Sequence, residues 1–254
     1  MSTIFVIGLV LSAAIGLSLG LVGAGGSILT VPILVYFLGV SPHDAVGMSL
    51  AVVAATSLFG AYLHHRRENV DLKSGLLFGS AGIVGAIAGS PLTKLVSPAA
   101  LLLIFGILML VVAVSMVWRR RDRAEDAMPH APRAAQGLLA GFGVGVLTGF
   151  LGVGGGFLIV PALVYFGGLT MKRAVGTSLF VIFLNCAAGL IGHAAQGIFD
   201  LGLTGLVMAL AVGGAIAGTM LSHRLAAHRL QRLFAILVLG VGGFLIAKNH
   251  AVLF

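Results

Sequence analysis

Uninterrupted apolar sequence is what most narrows the folds open to this chain. Ten stretches are almost free of ionisable residues: 4–22, 28–40, 45–63, 76–95 and 99–117, then 137–151, 157–169, 174–191, 203–221 and 233–247. A helix needs about 20 apolar residues to cross a bilayer, and most of these runs approach that length. Lipid offers the backbone no hydrogen-bond partner, so a spanning segment must satisfy its own N–H and C=O groups as a helix. A barrel would instead alternate in segments of about 10 residues. The sequence therefore predicts an all-α polytopic membrane protein. Its 59% hydrophobic and 9% charged residues agree, since soluble domains carry about a quarter charged.

The formal net charge of +8 raises the question of nucleic acid. The Lys and Arg residues, however, sit in short runs between apolar segments, as topology signals do. No aromatic residues are interleaved with them to stack bases, so no nucleic-acid partner is expected. The single cysteine, Cys186, excludes a disulfide framework within one chain. Residues 1–20 lack the basic start of a cleaved signal and read as a retained membrane segment.

The chain is also a duplication. Gly23 falls on Gly152, Pro32 on Pro161, Tyr36 on Tyr165, Gly47 on Gly176 and His64 on His193, at a constant offset of 129 residues. About half the positions from 20 to 50 match their counterparts, and the register holds through Asp71/Asp200 and Gly89/Gly218. This divides the chain into a transmembrane repeat over 1–118, a basic linker over 119–135 and a second repeat over 136–254. In each repeat the first two segments are parted by glycine, at Gly23-Ala24-Gly25-Gly26 and at Gly152-Val153-Gly154-Gly155-Gly156, where a straight helix is unfavourable.

Each glycine run could be a kink in one crossing helix or the turn of a hairpin that returns to its own side. Hairpins place the linker, Lys172-Arg173, Arg224, Arg229, Arg232, Arg66, Arg67 and Lys73 on one side, leaving a single Lys in the loops opposite. That distribution fits the positive-inside rule with the linker cytoplasmic. Each repeat is then a glycine-tipped hairpin plus three transmembrane helices, and the second copy is inverted, a recurrent plan of secondary transporters.

A helix starting just after a glycine run presents unpaired N–H groups and a positive dipole end, which suits an anion. Gly23, Gly25, Gly26 and Ser27, with Gly152, Gly154, Gly155 and Gly156, are therefore candidate binding residues. Two such starts brought toward the midplane would form a cage. Ser49, Thr56 and Ser57 in one copy and Thr177, Ser178 and Asn185 in the other could complete it. The competing readings are close helix packing for the glycines and bonding to their own backbone for the hydroxyls. Asn185 stands out, because a buried amide is costly to leave unsatisfied. His64 and His193 lie at helix ends, where interfacial solvation competes with proton coupling. His43, His223, His228 and His250 read as loop residues. No catalytic or metal motif is present, so neither enzyme activity, a metal nor a cofactor is expected.

The run Gly20-Leu21-Val22-Gly23-Ala24-Gly25-Gly26-Ser27 with Val31-Pro32, its counterpart 149–156 with Val160-Pro161, and Ala174-Val175-Gly176-Thr177-Ser178-Leu179 resemble the TauE/SafE family of sulfite exporters. The resemblance covers nearly the whole chain. It implies a multi-pass protein of the bacterial cytoplasmic membrane that exports sulfite, sulfonates or related sulfur-containing anions. The expected mechanism is alternating access, one repeat rocking against the other around the glycine tips. The expected partners are that small anion, the lipid bilayer and a second copy in a homodimer. A passive anion channel and a membrane-embedded enzyme of sulfur metabolism are the alternatives. The copies differ at Ala24-Gly25-Gly26-Ser27 against Val153-Gly154-Gly155-Gly156 and at Met48 against Thr177.

Overall fold

The computed structural model describes residues 3–23, 25–89, 91–92, 96, 98–118, 134–151, 156–194 and 200–249. Ten α-helices account for most of the described residues: α1 (Thr3–Val22), α2 (Gly25–Tyr36), α3 (Pro42–His65), α4 (Leu72–Gly89), α5 (Pro98–Trp118), α6 (Ala134–Leu151), α7 (Gly156–Tyr165), α8 (Met171–Ala194), α9 (Leu201–Arg224) and α10 (Ala227–Asn249). The fold is all-α, as expected. Among the described residues four segments are long and apolar enough to cross a membrane: Asp44–His65, Leu72–Gly89, Met171–Ile191 and Leu201–Arg224. Of the expected linker 119–135, residues 119–133 lie outside the described residues, as does the loop 195–199, while Ala134 and Ala135 already belong to α6.

Helix ends follow local chemistry. Asp200 caps α9 by accepting from the Leu203 amide at 3.0 Å. Asp71 precedes α4 in the same way, accepting from the Ser74 amide and hydroxyl, each at 3.0 Å. The short helices stop earlier than the apolar pattern suggested, at Tyr36 and Tyr165, and Gly39 (φ 69°) and Gly168 (φ 64°) then turn the chain. Both positions need the left-handed region that glycine alone enters freely.

Helices α2 and α7 have 12 and 10 residues, about 18 and 15 Å at 1.5 Å per residue, half the hydrocarbon thickness. They cannot span. Gly8 on α1 packs against Phe37 and Leu38, just beyond the end of α2, so α2 folds back along α1. The first glycine break is therefore the turn of a hairpin. Helix α7 is enclosed by protein, with Leu158, Ile159, Val160, Ala162 and Leu163 all buried. Residues such as Ile87, Leu139 and Ile191 on the outer helices are more than 70% exposed, the inside-out pattern of a lipid-facing surface.

Glycine sets the packing between repeats. A methyl group on Gly16 would stand 1.8 Å from the Ala211 carbonyl oxygen, and one on Gly20 would stand 2.2 Å from that of Ala215. The same contacts recur 129 residues on, with α6 against α4. A methyl group on Gly145 would stand 2.2 Å from the Gly82 carbonyl oxygen and one on Gly149 2.1 Å from that of Ala86. In both cases the paired numbers rise together, so α1 is parallel to α9 and α6 to α4. The first helix of each repeat thus packs on the fourth helix of the other. Helices α3 and α8, also counterparts, run antiparallel: Gly189 meets Leu50, Leu179 meets Gly60, and Gly176 meets His64.

Candidate functional site

Gly23 turns the chain between α1 and α2 with φ 79°. Its amide donates to the Leu19 carbonyl at 2.7 Å, closing the last turn of α1. The Ser178 hydroxyl lies 2.9 Å from the Gly23 carbonyl and 2.8 Å from that of Val175, and its single proton is shared between them. The tip of the first repeat is thus docked on the start of α8 in the second. This is level with the second turn of α8, on the order of 9 Å short of the helix middle. Gly25, Gly26 and Ser27 form the first turn of α2, which leads from there back toward the middle and touches α7. In the second repeat Gly152, Gly154 and Gly155 lie outside the described residues, whereas Gly156 is buried at the start of α7.

The polar residues separate into two groups. The hydroxyl of Ser49 donates to the Val46 carbonyl at 2.9 Å, and that of Thr56 to Val52 at 2.7 Å or Val53 at 3.0 Å. Thr177 Oγ1 accepts from the Asp71 amide at 3.0 Å, tying α8 to the start of α4. With Ser178, these groups are occupied by the fold. Ser57 Oγ and Asn185 Oδ1 are buried and have no hydrogen-bond partner among the described residues. The pairing of 60 with 179 and of 50 with 189 puts Ser57 and Asn185 within one turn of the same level, near the middle of α3 and α8. Asn185 follows Ser178 by two helical turns and so shares the face on which Gly23 docks.

The histidines differ from their sequence reading. His223 belongs to the last turn of α9, and its ring faces that of His64, with centroids 4.7 Å apart. It is not a loop residue, because α9 runs to Arg224. His43 is in the first turn of α3 and the exposed His228 in that of α10. His193 is in the last turn of α8, its side chain outside the described part, as is the whole of His250. Sequence reading missed His223. The available signal was that it ends a helix running to the same basic side as the helix ended by His64.

Residues 8–245 match the profile of the family described as Sulfite exporter TauE/SafE. Similar curated proteins include two named "Probable membrane transporter protein" from strains 9a5c and Temecula1 of Xylella fastidiosa. They are 33% identical over 247 residues and 35% over 245, each alignment covering 93% of both chains. "Probable membrane transporter protein YunE" of Bacillus subtilis is 32% identical over 216 residues, which is 76% of this chain and 79% of that one. No solved structure matches.

Proposed function

Because this chain belongs to the Sulfite exporter TauE/SafE family, we propose that it is a secondary transporter exporting a small sulfur-containing anion, sulfite or a sulfonate, across the bacterial cytoplasmic membrane. The observation that carries the reading is the polar pair at the middle of α3 and α8. Ser57 and Asn185 keep buried groups unpaired, at a cost of about 1–3 kcal/mol each. Groups left idle by the fold are available to a ligand. Beside them run two half-length helices, each starting at a glycine run. The first turn of α2, Gly25 to Ser27, lies toward the Gly23 tip with its free N–H groups directed away from the middle, so these amides would hold the anion on its way to or from the central pair, with no cationic side chain needed.

The face bearing Arg66, Arg67, Lys172, Arg173 and Arg224 is cytoplasmic in this proposal, and the two repeats are inverted relative to one another. The inside-negative potential then favours exit of an anion by about 2.3 kcal/mol per charge per 100 mV, so export needs no coupling ion. Access alternates between two bundles that each mix the repeats: α1, α2, α3 and α9 against α4, α6, α7 and α8. The test is countertransport of labelled sulfite in proteoliposomes, for the parent and for Asn185→Leu. Saturable exchange that the substitution abolishes is the expected result. Exchange unaffected by Asn185→Leu overturns the central site, and non-saturable flux without countertransport replaces the transporter by a channel.

A further inference from the structure

Two imidazoles, one from each repeat, lie between the basic end of the molecule and the Gly23 turn. His64 ends α3 and His223 ends α9, parallel neighbours whose last turns come together with the rings tilted by 59°. His64 is 1% exposed, yet neither of its nitrogens has a hydrogen-bond partner among the described residues. The Gly20 carbonyl of α1 approaches the ring without completing one. His223 Nε2 is likewise buried and without a partner among the described residues. On the α8 side, a methyl group on Gly176 would stand 2.9 Å from His64 Cβ, so that glycine keeps a seat open for the histidine. Helices α1, α3, α8 and α9 therefore converge on three imidazole nitrogens that no described group satisfies.

The charge around them decides what they suit. Arg67 and Lys172 are the charged groups that act on His223, and the carboxylate of Asp71 is engaged with Ser74. A neutral imidazole offers one N–H donor and one acceptor nitrogen. Donors in a cationic neighbourhood disfavour a bound cation and favour an anion. We propose that His64 and His223 form a second anion station at the basic end of the pathway, for an oxyanion such as hydrogen sulfite that has acceptor oxygens and a hydroxyl. One imidazole N–H donates to an anion oxygen, the acceptor nitrogen receives the hydroxyl, and Arg67 and Lys172 raise the anion concentration at the entrance. This rests on the transporter reading but involves residues separate from the central pair.

The test uses the full chain in nanodiscs with ring-¹⁵N histidine, titrated anaerobically with sulfite. The resonances of His64 and His223, assigned with His64→Gln and His223→Gln, are expected to move while that of exposed His228 stays. In oriented proteoliposomes each Gln variant should raise the sulfite KM by about tenfold when sulfite is offered at the basic face, the size of one lost charge-assisted hydrogen bond. From the opposite face the KM should change little. If sulfite leaves both resonances in place, water alone fills the station and the proposal is overturned, whether or not the variants fold. A KM unchanged at the basic face in both variants also overturns it. Histidine shifts that persist in Asn185→Leu support the station even where the central reading fails, and loss of exchange in Asn185→Leu without histidine shifts refutes the station alone.

Discussion

Adjacent glycines on α9 should respond to the same substitution in opposite ways. A methyl group on Gly214 would stand 2.0 Å from the Ala13 carbonyl oxygen and 2.9 Å from the Leu17 amide nitrogen, both backbone atoms of α1. Side chains cannot rotate out of this clash. To bring the carbon back to an ordinary contact, α1 and α9 must part by about 1 Å, and overpacking of this kind costs about 1–3 kcal/mol. Gly213 has nothing within 4 Å of the same added carbon, and alanine there gains helix propensity worth up to about 1 kcal/mol. The duplication has already tried this change: at the counterpart of Gly213 the first repeat carries Val84, 59% exposed, while the counterpart of Gly214 is still Gly85. Unfolding of Gly213→Ala and Gly214→Ala in mixed detergent and dodecyl sulfate micelles, followed by circular dichroism, should therefore separate them by about 2–3 kcal/mol. Equal midpoints would refute the claim that the α1–α9 seam is set by backbone contact.

Four further sets of substitutions probe the remaining contacts. Asn185→Leu and Ser57→Ala should leave stability unchanged or raise it by about 1 kcal/mol, since each removes an unpaired buried group, while sulfite exchange falls; a fall in both would make the pair structural. Thr177→Val deprives the Asp71 amide of its acceptor and should cost about 1 kcal/mol in the same unfolding assay. Gly23→Ala sets a side chain at φ 79° and its methyl 2.6 Å from Ser178 Oγ, so about 1–2 kcal/mol of backbone strain adds to the lost docking bond; parental stability would show that the turn is differently shaped. In a background lacking the single native cysteine, Cys186→Ala, a disulfide between Leu50→Cys and Gly189→Cys should arrest transport, whereas one between Gly60→Cys and Thr219→Cys should spare it; arrest by both would restore motion of whole repeats.

The apolar runs made the helices legible, because lipid leaves a spanning backbone no other way to satisfy itself. The duplication also made the glycine hairpin legible, through charge placement on either side of it. Which polar groups the fold consumes was not legible. Asn185 stood out along the chain by its amide, but nothing there separated Thr177 from it as a candidate, yet Thr177 is held by Asp71, 106 positions away, and Asn185 Oδ1 has no partner among the described residues. Such a distinction depends on which helix lies opposite, and a periodic pattern carries no information about that. His223 was missed for the same reason, since its partner is in the other repeat.

The swapped contacts bear on how the molecule can move. Repeats rocking as units would have to slide α1 along α9 and α6 along α4, seams in which carbonyl oxygens sit where a methyl group would have no room. Interfaces packed at backbone distance are poor places for shear, because any axial shift drives the next residue's Cβ into the facing backbone. The α3–α8 contact is different. There a methyl group on Gly189 would meet the flexible end of Leu50 at 3.3 Å, and one on Gly60 that of Leu179 at 3.0 Å, so over this stretch side chains rather than backbone fill the seam and can change rotamer as it opens, whereas at its basic end the Asn69 carbonyl would stand 2.2 Å from a methyl group on Gly176. The unpaired Ser57 and Asn185 lie along this same line. In the proposed transport cycle, the two moving bodies would therefore not coincide with the two copies: each would borrow a helix from the other repeat, α9 in one and α4 in the other, and they would part along the α3–α8 seam.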